Sequence, residues 1–128
     1  MADWEDVRRL ALALPGAEEG TVHSQMAWRV GGKLFVWERP LRRTDLAALG
    51  DAAPDGPILG ARVEHELARR LLIDEDPEVY FTIPHFDGYP AVLIRLERIG
   101  PEALEEAVTE AWLVRAPKRL AAQWEAKR

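Results

Sequence analysis

Glu78–Ile99 reads EVYFTIPHFDGYPAVLIRLERI and is the most patterned stretch of the chain. Before Pro84 the side chains alternate, with Val79, Phe81 and Ile83 on one face and Tyr80 and Thr82 on the other. After Pro90 they alternate again: Val92, Ile94 and Leu96 share one face, while Ala91, Leu93, Arg95 and Glu97 share the other. A period of two, rich in β-branched and aromatic residues, predicts strands over 78–83 and 90–98. The loop between them has proline at each end and Asp87-Gly88 inside, a pair suited to the positive φ angles of a tight reversal. The expectation is an antiparallel pair in the middle of a sheet.

Working outward, Gly31-Gly32 marks a second reversal, between strands over 26–30 and 33–38. A two-residue turn there sets Val30 opposite Lys33, Trp28 opposite Phe35 and Met26 opposite Trp37. One core-facing surface then carries Met26, Trp28, Val30, Phe35 and Trp37. Glu18-Glu19-Gly20 reads as a polar turn, residues 58–63 as a short strand and Asp45–Leu49 as a short helical turn. The segment 51–57 is a loop by composition. Helical spacing of apolar residues predicts helices over 3–14, 64–73, 101–115 and 118–126. Asp3 is the expected N-cap of the first, with Asp6 reaching back to it and Pro15-Gly16 ending it. In the second, Leu67, Ala68, Leu71 and Leu72 are expected to face inward. Pro101 suits the first turn of the third helix, and Glu102, Glu105 and Glu106 suit its N-terminal dipole. The fold class is α+β, an antiparallel sheet flanked by helices in a single domain over 1–128.

The 128 residues are 48% apolar and 30% charged, the balance of a folded protein rather than a disordered one. The chain has no cysteine, which excludes disulfides and thiolate metal sites. The N-terminus lacks the basic and apolar regions of a signal peptide, and no apolar run reaches membrane-spanning length. A cytoplasmic location without membrane association is therefore expected. Net charge is −5, and neither half is basic: residues 1–64 hold 8 basic and 10 acidic groups, residues 65–128 hold 9 and 12. A surface that binds nucleic acid must then be a local patch, since such binding is largely electrostatic.

HFDGYPAVLIRL (85–96), followed by WLVRAPKRL (112–120), resembles the MmcQ/YjbR family. The first helix ending in Leu14-Pro15-Gly16 and the hairpin ending in Gly31-Gly32-Lys33 resemble it too, while Glu38–Ala61 carries no recognised family motif. The resemblance implies a compact α+β domain and, through a proposed double-wing arrangement of hairpins, DNA binding. It brings no catalytic residues.

Among chemistry-bearing groups, Arg39, Arg42 and Arg43 follow one hairpin, and Arg115, Lys118 and Arg119 bracket the Ala116-Pro117 break. With Lys33, these are the candidate phosphate contacts, because guanidinium and ammonium groups at loops and helix ends suit phosphate oxygens. His85, Asp87 and Tyr89 are the candidate lining of a small-molecule pocket, although turn chemistry alone accounts for Asp87. Gly31-Gly32-Lys33 lacks the spacing of a phosphate loop, and no other catalytic or metal motif occurs. No metal, cofactor or enzymatic activity is expected. All five tryptophans, Trp4, Trp28, Trp37, Trp112 and Trp124, fall on inward faces. Three functions are in view. A DNA-binding module using the basic groups ranks first, a protein-interaction or chaperone-like adaptor second, and an enzyme or small-molecule binder centred on His85 and Asp87 third.

Overall fold

The computed structural model describes residues 2–127. Its strands are β1 (Ala17–Val22), β2 (Gln25–Val30), β3 (Lys33–Glu38), β4 (Ile58–Arg62), β5 (Tyr80–Phe81) and β6 (Ala91–Arg95). They form one six-stranded sheet in the order β1-β2-β3-β4-β6-β5, with every neighbouring pair antiparallel. The helices are α1 (Trp4–Leu12), α2 (Arg43–Leu49), α3 (Glu66–Glu75), α4 (Pro101–Arg115) and α5 (Lys118–Ala126), with 3-10 turns at Gly50–Ala52 and Pro84–Phe86. This is the expected α+β class. Among the described residues no helix is long and apolar enough to cross a membrane.

Local chemistry explains the ends of these elements. Asp3 caps α1 reciprocally with Asp6: each carboxylate accepts from the other's backbone N–H at 3.0 Å. The Gly31-Gly32 turn has φ of +58° and +77°, a conformation that side-chain-bearing residues resist. His65 caps α3 through its Nδ1, which accepts from the Ala68 N–H at 3.0 Å.

Alternation along the strands builds two apolar clusters, one on each face. On the helical face Trp28, Val30, Phe35, Leu59, Val92, Ile94 and Leu96 pack with Val7, Leu104, Val108 and Trp112. There α4 lies across β3 and β4, and α1 lies on α4 and β1. On the other face Ala27, Trp37, Ile58, Phe81, Ile83, Phe86, Ala91 and Leu93 form a smaller cluster. Its cover is thin, consisting mainly of the loop through Pro84–Phe86 and of α2 against it.

Four sequence expectations need correction. Glu18–Gly20 is not a turn but the middle of β1, an exposed edge strand in which few side chains need be apolar. The strand pair 78–83 and 90–98 is not central, because β5 is the sheet edge, only two residues long, and β6 lies next to it. The register of β2 on β3 shifts at a bulge: Trp28 pairs with Val36 and Ala27 with Trp37, leaving Phe35 as the extra residue. That extra residue places Phe35 and Val36 together on the helical face and turns Trp37 to the opposite face from Trp28. In α3, Leu67 and Leu71 are 58% and 59% exposed, while Arg69 is buried.

Candidate functional site

The thinly covered face holds a cleft of about 500 Å³, lined by Val22, His23, Leu34, Trp37, Glu38, Arg39, Arg42, His85, Phe86 and Tyr89 among others. Its floor is aromatic. Trp37 lies 6.4 Å from both Phe86 and Tyr89, and those two meet edge to face at 5.5 Å. Trp37 can lie flat there because its strand partner is Gly60, where an added Cβ would come within 2.6 Å of the indole.

One wall is the Pro84–Pro90 loop, which α3 holds in place. Arg69 is buried and donates from one guanidinium nitrogen to the carbonyls of Phe86, Tyr89 and Ala91 at 3.0, 2.9 and 3.0 Å. Glu66, one turn before it, accepts from the Gly88 N–H at 2.6 Å. The Phe86 and Tyr89 carbonyls also accept the N–H groups of Tyr89 and Ala91 at 2.9 and 2.8 Å, and the buried cation adds a second donor that ties the loop to α3. Gly88 takes φ +78°, as its place in the reversal requires. Asp87 is exposed, lies outside the cleft lining and makes no side-chain hydrogen bond among the described residues. His85 and Tyr89 therefore belong to the pocket and Asp87 does not.

The opposite wall comes from the ends of β1, β2 and β3. The β1–β2 reversal is a two-residue turn, with Val22 paired to Gln25, and both of its residues have positive φ: His23 at +49° and Ser24 at +67°. Such turns favour Asn-Gly, and other side chains are strained in them. Glu38 accepts from the Met26 N–H at 3.3 Å. Arg39 is buried and ion-paired with buried Asp45 at 3.1 Å. It also donates to the Pro40 carbonyl and lies 5.7 Å from the Phe86 ring centre. Its second terminal nitrogen is buried without a hydrogen-bond partner.

The seven predicted phosphate contacts do not share one surface. Arg39 is committed to Asp45, and Arg42 and Arg43 are exposed beside it, just beyond the C-terminal end of β3. Lys33 stands at the other end of that strand, roughly 17 Å away at the usual rise per residue. There the Gly31-Gly32 turn packs on Pro117, close enough that a Cβ on Gly31 would sit 3.2 Å from the proline ring. Lys33 is thereby brought to the break that carries Arg115, Lys118 and Arg119. Arg62, absent from the sequence candidates, joins this end of the sheet. Its guanidinium stacks 4.7 Å over the Tyr89 ring and donates to the Pro90 carbonyl at 3.0 Å. Burial and then the like charge of Arg62 push the Arg115 guanidinium below its ordinary range. Arg115 Nε is itself buried without a partner. Among the described residues no group of three or more His, Asp or Glu side chains is arranged to hold a metal.

Comparison with known proteins agrees with this architecture. Residues 12–114 match the YjbR family model. The chain is 53% identical over 123 residues to the uncharacterized proteins Mb2600 of Mycobacterium bovis and Rv2570 of Mycobacterium tuberculosis, covering 94% of this chain and 93% of each relative. Its fold is similar to that of the Deinococcus radiodurans protein DR2400, which has a DUF419 family-model domain. The TM-score is 0.67 at 18% identity, over 89% of this chain and 78% of that one. The chain belongs to the YjbR family.

Proposed function

We propose that the protein is a nucleic-acid-binding module that grips the phosphate backbone, most simply that of DNA, at the end of the sheet where Lys33, Arg62, Arg115, Lys118 and Arg119 gather. The observation that carries this reading is the packing of the Gly31-Gly32 turn on Pro117, which brings Lys33 to the Arg115–Arg119 break at the end of the sheet that Arg62 also reaches. Neither Arg62 nor Arg115 forms an ion pair among the described residues, and burial, then the charge of Arg62, pushes the Arg115 guanidinium below its ordinary range. Guanidiniums without a carboxylate partner leave donors that a phosphate would satisfy in bidentate fashion. The net charge of −5 is compatible with a patch, because Glu102, Glu105, Glu106 and Glu110 lie along α4 rather than at its C-terminal end.

Fluorescence anisotropy with short single- and double-stranded DNA tests this reading. Affinity should fall as salt rises, with a log–log slope of about −4 if four or five phosphates are contacted. Lys118→Glu/Arg119→Glu should abolish binding. Absence of binding to either DNA at low salt would refute the reading. An adaptor without enzymatic activity is the second reading, favoured by Leu67 and Leu71, which stand exposed one turn apart on α3.

A further inference from the structure

We propose that the cleft over Trp37, Phe86 and Tyr89 is a binding site for a small aromatic acid, one or two fused rings carrying a carboxylate. The inference does not depend on the nucleic-acid reading, which concerns the end of the sheet and other cations. Three independent features point to a ligand.

The first is shape and floor. A cavity of about 500 Å³ lies within the range of small-molecule sites, and its three aromatic rings meet at tilted or edge-to-face angles. A flat ring set on that floor extends the same cluster.

The second is charge. Arg39, Arg42, His23 and His85 line the cleft, and Glu38 is its one carboxylate. Glu38 is already engaged by the Met26 N–H and, when the Gln25 amide presents its nitrogen, by that group at 3.0 and 3.2 Å. Arg39 has only part of its guanidinium satisfied by Asp45 and Pro40, and a buried nitrogen is left over. An unsatisfied donor on a charged group is costly, so a shift of the Arg39 side chain that brings this closed-off nitrogen to an acceptor in the cleft is favoured. A carboxylate seated between Arg39 and Arg42 is such an acceptor.

The third is strain. His23 occupies a left-handed position that glycine would hold without cost, and it does so on the wall of this cleft. The imidazole is what glycine would lack. We assign it to the rim contact with the acid, opposite His85.

Two-dimensional amide NMR of the intact protein, titrated with indole-3-acetate and in parallel with neutral indole-3-acetamide, tests the site. The acid should give saturable shifts at the Trp37 indole N–H and at the amides of His23, His85 and Tyr89. The amide should bind roughly tenfold more weakly, as expected for loss of one charge-assisted contact. Arg42→Gln, an exposed change, should weaken the acid about threefold to fivefold and leave the amide unaffected. His23→Gly should raise the melting temperature by relieving the turn while weakening the acid, a combination that a purely structural histidine would not produce. Equal affinity for acid and amide would overturn the proposal, as would the absence of saturable shifts at millimolar concentration. So would a His23→Gly protein that is more stable and binds the acid unchanged.

Discussion

Trp112 and Trp37 are both core tryptophans, yet they stabilise the fold in different settings. On the helical face Trp112 is fully enclosed; its indole N–H donates to the Pro15 carbonyl at 3.0 Å and its ring packs 5.5 Å from Trp124. On the opposite face Trp37 forms the floor of a cleft, with Gly60 beneath it and solvent close above. One face is a closed core made by four helices of the chain. The other is closed only by a tied-down loop and by α2, and what they leave uncovered is the aromatic floor of the cleft. The same sheet thus separates a closed, helix-covered core from a more open aromatic cluster.

The most direct way to break this comparison is truncation of each ring. Trp112→Ala should cost about 3–5 kcal/mol, since it removes burial and leaves a cavity that the surrounding helices cannot fill. Trp37→Ala should cost less, about 2–3 kcal/mol, because solvent can enter the space and only the transfer term is lost. Urea denaturation followed by circular dichroism measures both. Equal losses would mean that the two faces are equally closed.

Arg69 sharpens the comparison, because it ties down the loop that, with α2, covers the open face. Arg69→Met keeps the stem of the side chain but removes the guanidinium from the carbonyls of Phe86, Tyr89 and Ala91, leaving the first two only the N–H groups of Tyr89 and Ala91. The expected cost is about 2–3 kcal/mol, and amide exchange should speed up across residues 84–91. Exchange that stays slow there would show that the loop is held by Phe86 and the prolines alone.

How far these faces could be read from residues depends on whether the cause was local. The Gly31-Gly32 turn and the Asp3–Asp6 cap were legible because each states its own geometry within a few positions. The helices 101–115 and 118–126 were legible because their apolar spacing matches one packed stripe, buried in the first and half-buried in the second. β1 was not, since AEEGTV is an exposed edge strand and its turn is made by His23-Ser24 rather than by glycine. The bulge at Phe35 was not, because Phe35, Val36 and Trp37 are all apolar and suit either face. In α3 the helix was legible but its orientation was not. Leu67 and Leu71 look like the inward pair, and what turns Arg69 inward instead is a set of carbonyls about twenty residues further along the chain. The site shows the same division. His85 and Tyr89 were read from the loop that bears them, whereas Arg39 and Arg62 took their roles from Asp45 and Tyr89, partners that spacing does not reveal.

The smallest expected effect lies at the seam between the helical layer and the sheet edge. Glu19 of β1 accepts at one oxygen from Arg8 Nε of α1 at 2.7 Å and from the Trp28 indole N–H at 3.0 Å. The hydrogen bond from Arg8, and then that from Trp28, hold the Glu19 carboxyl below the usual glutamate range. A carboxyl whose folded pKa is depressed contributes stability that is fully present above its unfolded pKa, near 4.3, and is lost as pH falls through the folded value. Because Glu19 is about one-third exposed, with a side-chain accessibility of 35%, solvent screening keeps that contribution to no more than about 1 kcal/mol at neutral pH. Glu19→Gln should therefore lower the melting temperature slightly at pH 7. The deficit should shrink as pH drops below about 4.3, when the wild-type carboxylate takes up its proton. Thermal melts of both proteins between pH 7 and pH 3 provide the measurement. A deficit that stays constant over that interval would mean that the seam is held by the apolar contacts of Trp28 and Val7, and that the charge on Glu19 has no part in joining α1 to the sheet.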